Sequence, residues 1–141
     1  MTSKPTRNAD NADTPSAPAP AQTILLIEND SGNRKLMEMV LLVEKFGCVS
    51  CANIEAGWGA LKTRTISLII VDLGVQALNL IADVRATREL AHIPIIVVTG
   101  ARDERKRAEA LQAGAAACFL KPVANADLIA EVRRCLDDGL A

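Results

Sequence analysis

From Thr23 onward, short runs of aliphatic and β-branched residues alternate with longer stretches whose apolar positions recur every three to four residues, and the alternation repeats five times. The short runs are TILLI (23–27), CVSCA (48–52), SLIIV (67–71), PIIVV (94–98) and AACFL (116–120), which read as strands. The first long stretch, SGNRKLMEMVLLVEKFG (31–47), reads as a helix with Ser31 near its start and Gly47 as its stop. A weaker helix, IEAGWGALKTR (54–64), carries two glycines that cost roughly 1 kcal/mol each against alanine. ALNLIADVRATREL (77–90), RDERKRAEALQAG (102–114) and ADLIAEVRRCLDD (126–138) complete the set, the last with Leu128, Val132 and Cys135 on one apolar stripe beside Ile129 and Leu136. Strands this apolar belong to a parallel sheet covered on both faces, because each right-handed crossover lays its helix against the sheet. The pattern predicts a doubly wound α/β domain, whose ligands sit outside the carboxyl ends of the strands.

The residues just past those ends carry the chemistry. Glu28, Asn29 and Asp30 follow the first strand, Asp72 the third, Thr99 the fourth and Lys121 the fifth. Carboxylates gathered at one edge repel unless a cation lies between them, and oxygen ligands with an open side suit Mg²⁺, which keeps waters and takes phosphate oxygens. Asp72 is then a nucleophile able to form an acyl phosphate, Thr99 a hydroxyl donor to a phosphoryl oxygen, and Lys121 its counter-charge. Taken singly, Thr99 or the Glu28–Asp30 group could as well cap a helix, and Lys121 before Pro122 could be a solvated loop residue. Their joint placement after strands 1, 3, 4 and 5 is what points to a site.

ILLIEND, LIIVDL, IPIIVVTGA and AGAAACFLKPV, spread over residues 23–138, resemble the receiver domain of two-component response regulators. The resemblance implies a flavodoxin-like sheet of five parallel strands in order 2-1-3-4-5 with five helices. It implies phosphotransfer to Asp72 from a histidine kinase or histidine phosphotransferase, with Thr99 and Lys121 assisting. Mg²⁺ would be held at Glu28, Asn29, Asp72 and the backbone carbonyl of Gly74. Further implications are a cis Lys121–Pro122 bond and signalling to a downstream protein through the face formed by the fourth helix, the fifth strand and the fifth helix. A weak homodimer is compatible with such a surface.

Three departures bear on mechanism. The second acidic position of the family falls on Asn29, whose neutral amide binds Mg²⁺ without a full charge, so metal affinity should fall unless Asp30 substitutes. The loop after Asp72 lacks the family's proline and its glycine before the third helix and is about three residues shorter, although Gly74 is kept. The aromatic switch position, three before the lysine, is Cys118, which has no ring to swing between rotamers. Two function classes follow: a phosphorylatable single-domain response regulator, or a pseudo-receiver that works as an interaction adaptor without phosphorylation. A flavin-binding protein of the same architecture is a more distant reading.

Composition narrows the picture further. Half of the 141 residues are apolar, enough for one sizeable core, and 16 Lys+Arg against 17 Asp+Glu give no footprint for nucleic acid or an anionic membrane. No membrane span or secretory leader is evident, so a cytoplasmic location is expected. Residues 1–22 hold four of the six prolines and only alanines and Met1 as apolar residues, so a disordered tail is expected ahead of a receiver domain at 23–141. With no output domain after the last helix, the target is expected to be another protein, and the absence of Walker or nucleophile-elbow motifs argues against an ordinary enzyme. Cys48 and Cys51 have redox-motif spacing but point to opposite faces of a strand, and neither a second such pair nor a nearby histidine completes a zinc set. Trp58 reads as core, and the dense mixed charge of the fourth helix as a solvated face that also lies on the family's partner surface.

Overall fold

The computed structural model describes residues 22–140 other than 73, 75, 101 and 103. The expected tail at 1–22 therefore lies outside the described residues save for Gln22. In chain order the elements are β1 (Thr23–Ile27), α1 (Ser31–Val43), β2 (Gly47–Cys51), α2 (Ile54–Thr63), β3 (Leu68–Asp72), α3 (Ala77–Ala86), β4 (Ile95–Thr99), α4 (Glu104–Ala113), β5 (Ala117–Leu120) and α5 (Asn125–Leu140). The five strands form one parallel sheet in the order β2-β1-β3-β4-β5, as expected.

Side chains alternate across this sheet and fill two cores. Leu25, Ile27, Ile69, Val71, Ile95 and Val97 meet α2, α3 and α4. Ile24, Leu26, Leu68, Ile70, Ile96 and Val98 meet α1 and α5, through Leu41, Leu128, Val132 and Leu136. Burial on both faces is why the strands lack polar alternation. Cys51 packs on the first face and Cys48 on the second, and all four cysteines are free.

The helices stop earlier than periodicity alone predicts. α1 ends at Val43 rather than at Gly47, which opens β2. Lys45 takes the left-handed turn (φ 73°), and the Lys45 and Phe46 N–H groups donate to the Leu42 and Leu41 carbonyls, so the chain reverses without glycine. α3 ends at Ala86 rather than at Leu90, where Thr87 turns its hydroxyl back to the Asp83 carbonyl. In α2 one of the two weakening glycines is required: a Cβ on Gly57 would lie 2.5 Å from Ile27 Cδ1, so the missing side chain lets α2 sit close on β1. Trp58 packs half-buried against the same core.

Candidate functional site

Strand register assembles the site. Ile27 pairs with Val71 and Asp72 with Val98, so Glu28, one residue beyond β1, comes beside Asp72 at the end of β3, while Thr99 closes β4 one step further on. Thr99 pairs with Leu120, and its carbonyl accepts from the Lys121 N–H at 2.7 Å. Four of the sequence-predicted residues thus converge at the carboxyl edge, with Glu28 6% and Thr99 2% exposed.

Lys121 is the centre of the cluster. Its Nζ donates to Glu28 Oε1 at 2.9 Å and to Asp72 Oδ2 at 2.6 Å, which places one ammonium between two carboxylates. Gly74 N–H donates to Asp72 Oδ1 at 2.7 Å, so both oxygens of that carboxylate are engaged. Burial pushes the Asp72 pKa up, but the Lys121 and Gly74 hydrogen bonds and the Lys121 charge outweigh it and hold the group below the usual carboxylate range. Burial likewise disfavours the Lys121 charge, and the bonds to Asp72 and Glu28 outweigh that and raise its pKa. A strand buried on both faces can end on Asp72 because the charge is paired where the sheet gives way to solvent. The Lys121–Pro122 peptide is cis, as the resemblance implies.

Asn29 and Asp30 are exposed at the turn into α1. Asp30 meets the site through its backbone N–H, which donates to Glu28 Oε2 at 3.0 Å, while its carboxylate accepts from the Asn33 N–H at 2.8 Å as the cap of α1. Among the described residues no three Asp, Glu, His or Cys side chains gather around a common point. The donor set still fits Mg²⁺, which needs only one or two carboxylates when waters and phosphate oxygens complete its shell. Glu28 and Asp72 would hold the ion, with Asn29 at the rim.

Gln76 precedes α3 in the left-handed region (φ 64°) and makes no side-chain cap hydrogen bond. Cys118, expected at the family's switch position, lies opposite Val97 and packs toward the α2–α4 face. Burial pushes its thiol up, partly opposed by the Arg107 guanidinium of α4. The place expected for a ring thus holds a small thiol beside an arginine. Arg34 was not singled out in the sequence, where it reads as one more polar residue of α1. Its Nη1 donates to the Glu28 carbonyl at 2.9 Å and ties α1 to the acidic turn. A cleft of about 520 Å³ opens beside Asp72 and Lys121, walled on the α1 side by Asn33, Leu36, Met37 and Val40.

The fold is thus a parallel doubly wound α/β domain whose sheet edge presents a paired aspartate, a second acid, a buried threonine and a lysine. Residues 24–133 match the response regulator receiver domain model, and the chain belongs to that family. It is 28% identical to a response regulator receiver protein from Pseudomonas putida, with a TM-score of 0.77 over 82% of this chain and 98% of that one. A CheY-like receiver domain protein from Methanospirillum hungatei shares the fold at a TM-score of 0.78 and 21% identity, over 85% of this chain and 97% of that one. The regulatory protein VirG of Agrobacterium fabrum is 27% identical over 115 residues, covering 81% of this chain and 46% of VirG. The chain spans about half the length of such curated relatives.

Proposed function

We propose that this protein is a response regulator whose Asp72 accepts a phosphoryl group from a histidine kinase or histidine phosphotransferase, and which signals through protein contacts of the α4-β5-α5 face. The observation that carries this reading is the Lys121 ammonium shared between Glu28 and Asp72. A carboxylate held ionised at neutral pH is a competent nucleophile, and a lysine already in contact with it can follow the charge onto a phosphoryl oxygen. In the transfer, an Asp72 oxygen bonds to phosphorus as the bond from phosphorus to the donor nitrogen breaks, and the freed imidazole takes up a proton. Bound Mg²⁺ would neutralise charge on the phosphoryl oxygens. Thr99, buried at the end of β4, would donate its hydroxyl to one of them, and the added charge would then bias the α4-β5-α5 surface.

In this reading the chain acts as a signalling module of the cytoplasm rather than as an ordinary enzyme. Among the described residues no helix is long and apolar enough to cross a membrane, which is compatible with that location. Acetyl phosphate with Mg²⁺ should add the mass of one phosphoryl group, labile to hydroxylamine, and Asp72→Asn should abolish the gain. An unmodified wild type would refute the reading. The adaptor alternative draws support from one observation: with Asn29 neutral and the Asp30 carboxylate committed to its helix, the two carboxylates left at the site, Glu28 and Asp72, are both already paired with Lys121.

A further inference from the structure

α3 and α4 cover the same face of the sheet but are anchored differently. α3 buries Ala77, Leu80, Ile81 and Val84 along its length, whereas α4 buries only Ala110, in its second half. In the first half of α4, toward the site, the one described side chain that is not exposed is Arg107, beside Cys118. Packing therefore holds α4 weakly, and mostly at its carboxyl end. What secures that end is Arg85, half-buried in the last turn of α3. Its Nε and Nη2 donate to the Gly114 carbonyl at 3.2 and 2.8 Å, and its Nη1 donates to the Ala91 and Ile93 carbonyls at 3.0 and 2.8 Å. One guanidinium thus ties the end of α3, the link into β4 and the turn after α4, at the amino edge of the sheet opposite Asp72. The turn is shaped for this contact: Gly114 has φ 122°, which disfavours L side chains, and a Cβ there would lie 2.8 Å from Arg85 Nε. The Gly114 and Ala115 N–H groups donate back to the Leu111 and Ala110 carbonyls, so the clasped turn is continuous with the helix.

We infer that Arg85 is the pivot of α4: it pins the carboxyl end of the helix, so that a change at Asp72 and Thr99 is expressed as a swing of the amino end. What drives the swing rests on the phosphoacceptor reading; the unequal anchoring does not. Hydrogen bonds from a charged donor are roughly twice as strong as neutral ones, and these four leave one rigid planar group, so the clasp holds or opens as a unit. Glu104, which opens α4, follows β4 and its Thr99 by one short loop, and the ten-residue helix is about 15 Å long. With one end fixed, a shift of about 2 Å at Glu104 turns the helix by roughly 8°, and each residue between moves in proportion to its distance from Gly114. Without the clasp, the same push slides or frays the helix, and the orientation of its exposed face carries no message.

Two NMR measurements on the full chain test this, the first without any ligand. In the wild type, amide hydrogen-exchange protection should be at least ~10-fold higher at Ala113, Gly114 and Ala115 than at Ala108 and Glu109. Arg85→Met, which keeps an apolar stem and removes the guanidinium, should erase that contrast by exposing the first group while leaving Ala108 and Glu109 within about twofold of the wild type. Arg85→Lys, which keeps the charge but not the fork, should fall between. Residual dipolar couplings then report orientation. With Mg²⁺ and beryllofluoride, a stable mimic of an aspartyl phosphate, the N–H vectors of residues 106–110 should turn by roughly 5–10° against the sheet while those of Gly114 and Ala115 keep theirs; in Arg85→Met both groups should turn. A merely structural arginine would lower stability without changing which end of α4 turns, and that result would overturn the inference. So would even protection along α4 in the wild type, or an Arg85→Met protein that keeps the wild-type contrast. A wild type that ignores the mimic would count against the phosphoacceptor reading, and the exchange contrast alone then decides the pivot. Should Arg85→Met fail to fold, Arg85→Lys carries both measurements.

Discussion

Replacing Lys121 by methionine keeps the hydrophobic stem and removes the ammonium, leaving Glu28 and Asp72 facing one another without a counter-charge. Both carboxylates contact the same nitrogen, so they lie roughly 5 Å apart, and at an effective dielectric near 20 their repulsion is about 3 kcal/mol. The open side of the cleft screens part of this, leaving ~1–2 kcal/mol of lost stability at pH 8. The pH dependence separates charge from packing. In the wild type the Asp72 pKa is lowered, so its contribution is complete above the unfolded value near 4 and fades only as pH falls through the still lower folded value. In Lys121→Met one carboxyl of the pair is pushed above its unfolded value. The folded variant then binds a proton that the unfolded chain does not, and its stability rises as pH falls from 8 towards 5. Urea unfolding followed by the fluorescence of Trp58, the only tryptophan, measures both proteins at both pH values. The deficit should be ~1–2 kcal/mol at pH 8 and shrink by at least half at pH 5, and millimolar Mg²⁺ should reduce it at pH 8. A deficit equal at the two pH values and indifferent to Mg²⁺ would refute the electrostatic account.

Other consequences can be checked independently. Gly57→Ala should destabilise by ~1–3 kcal/mol in thermal melts because its methyl meets Ile27, whereas Gly59→Ala, where a Cβ meets nothing, should be neutral or stabilising by up to about 1 kcal/mol. Burial, with Glu38 and Cys51 adding to it, pushes the Cys48 thiol up to about 11, so its alkylation at pH 8 should run roughly a hundredfold slower than that of a free thiol and accelerate as pH rises, as peptide mass mapping would show. Asp30→Ala should cost ~0.5–2 kcal/mol through loss of the α1 cap, while Asp30→Asn should leave both stability and Mg²⁺ affinity near the parent's and Asn29→Asp should raise that affinity about tenfold by calorimetry.

The sheet was legible because strands buried on both faces must be apolar throughout, and the site because parallel topology sends every strand's carboxyl end to one edge. Helix ends were less so. The α1 stop depends on Lys45 accepting a left-handed conformation, and no residue type announces that, whereas Gly47 looked like the stop and opens β2. Gly57 counted against α2 by propensity and is needed by packing, a tertiary contact that no local window contains. Within the site, residue identities were readable but pairings were not: Lys121 reaches across to both Glu28 and Asp72, and Asp30 spends its carboxylate on its own helix rather than on the cluster.

The most direct test of the phosphoacceptor assignment is an amide NMR titration with Mg²⁺ and then beryllofluoride, a stable mimic of an aspartyl phosphate. The account predicts saturable shifts at Asp72, Thr99 and Lys121 that extend into α4 and vanish in Asp72→Asn. A spectrum unmoved at millimolar Mg²⁺, with and without the mimic, would contradict it and leave the paired carboxylate at the end of β3 as structure alone.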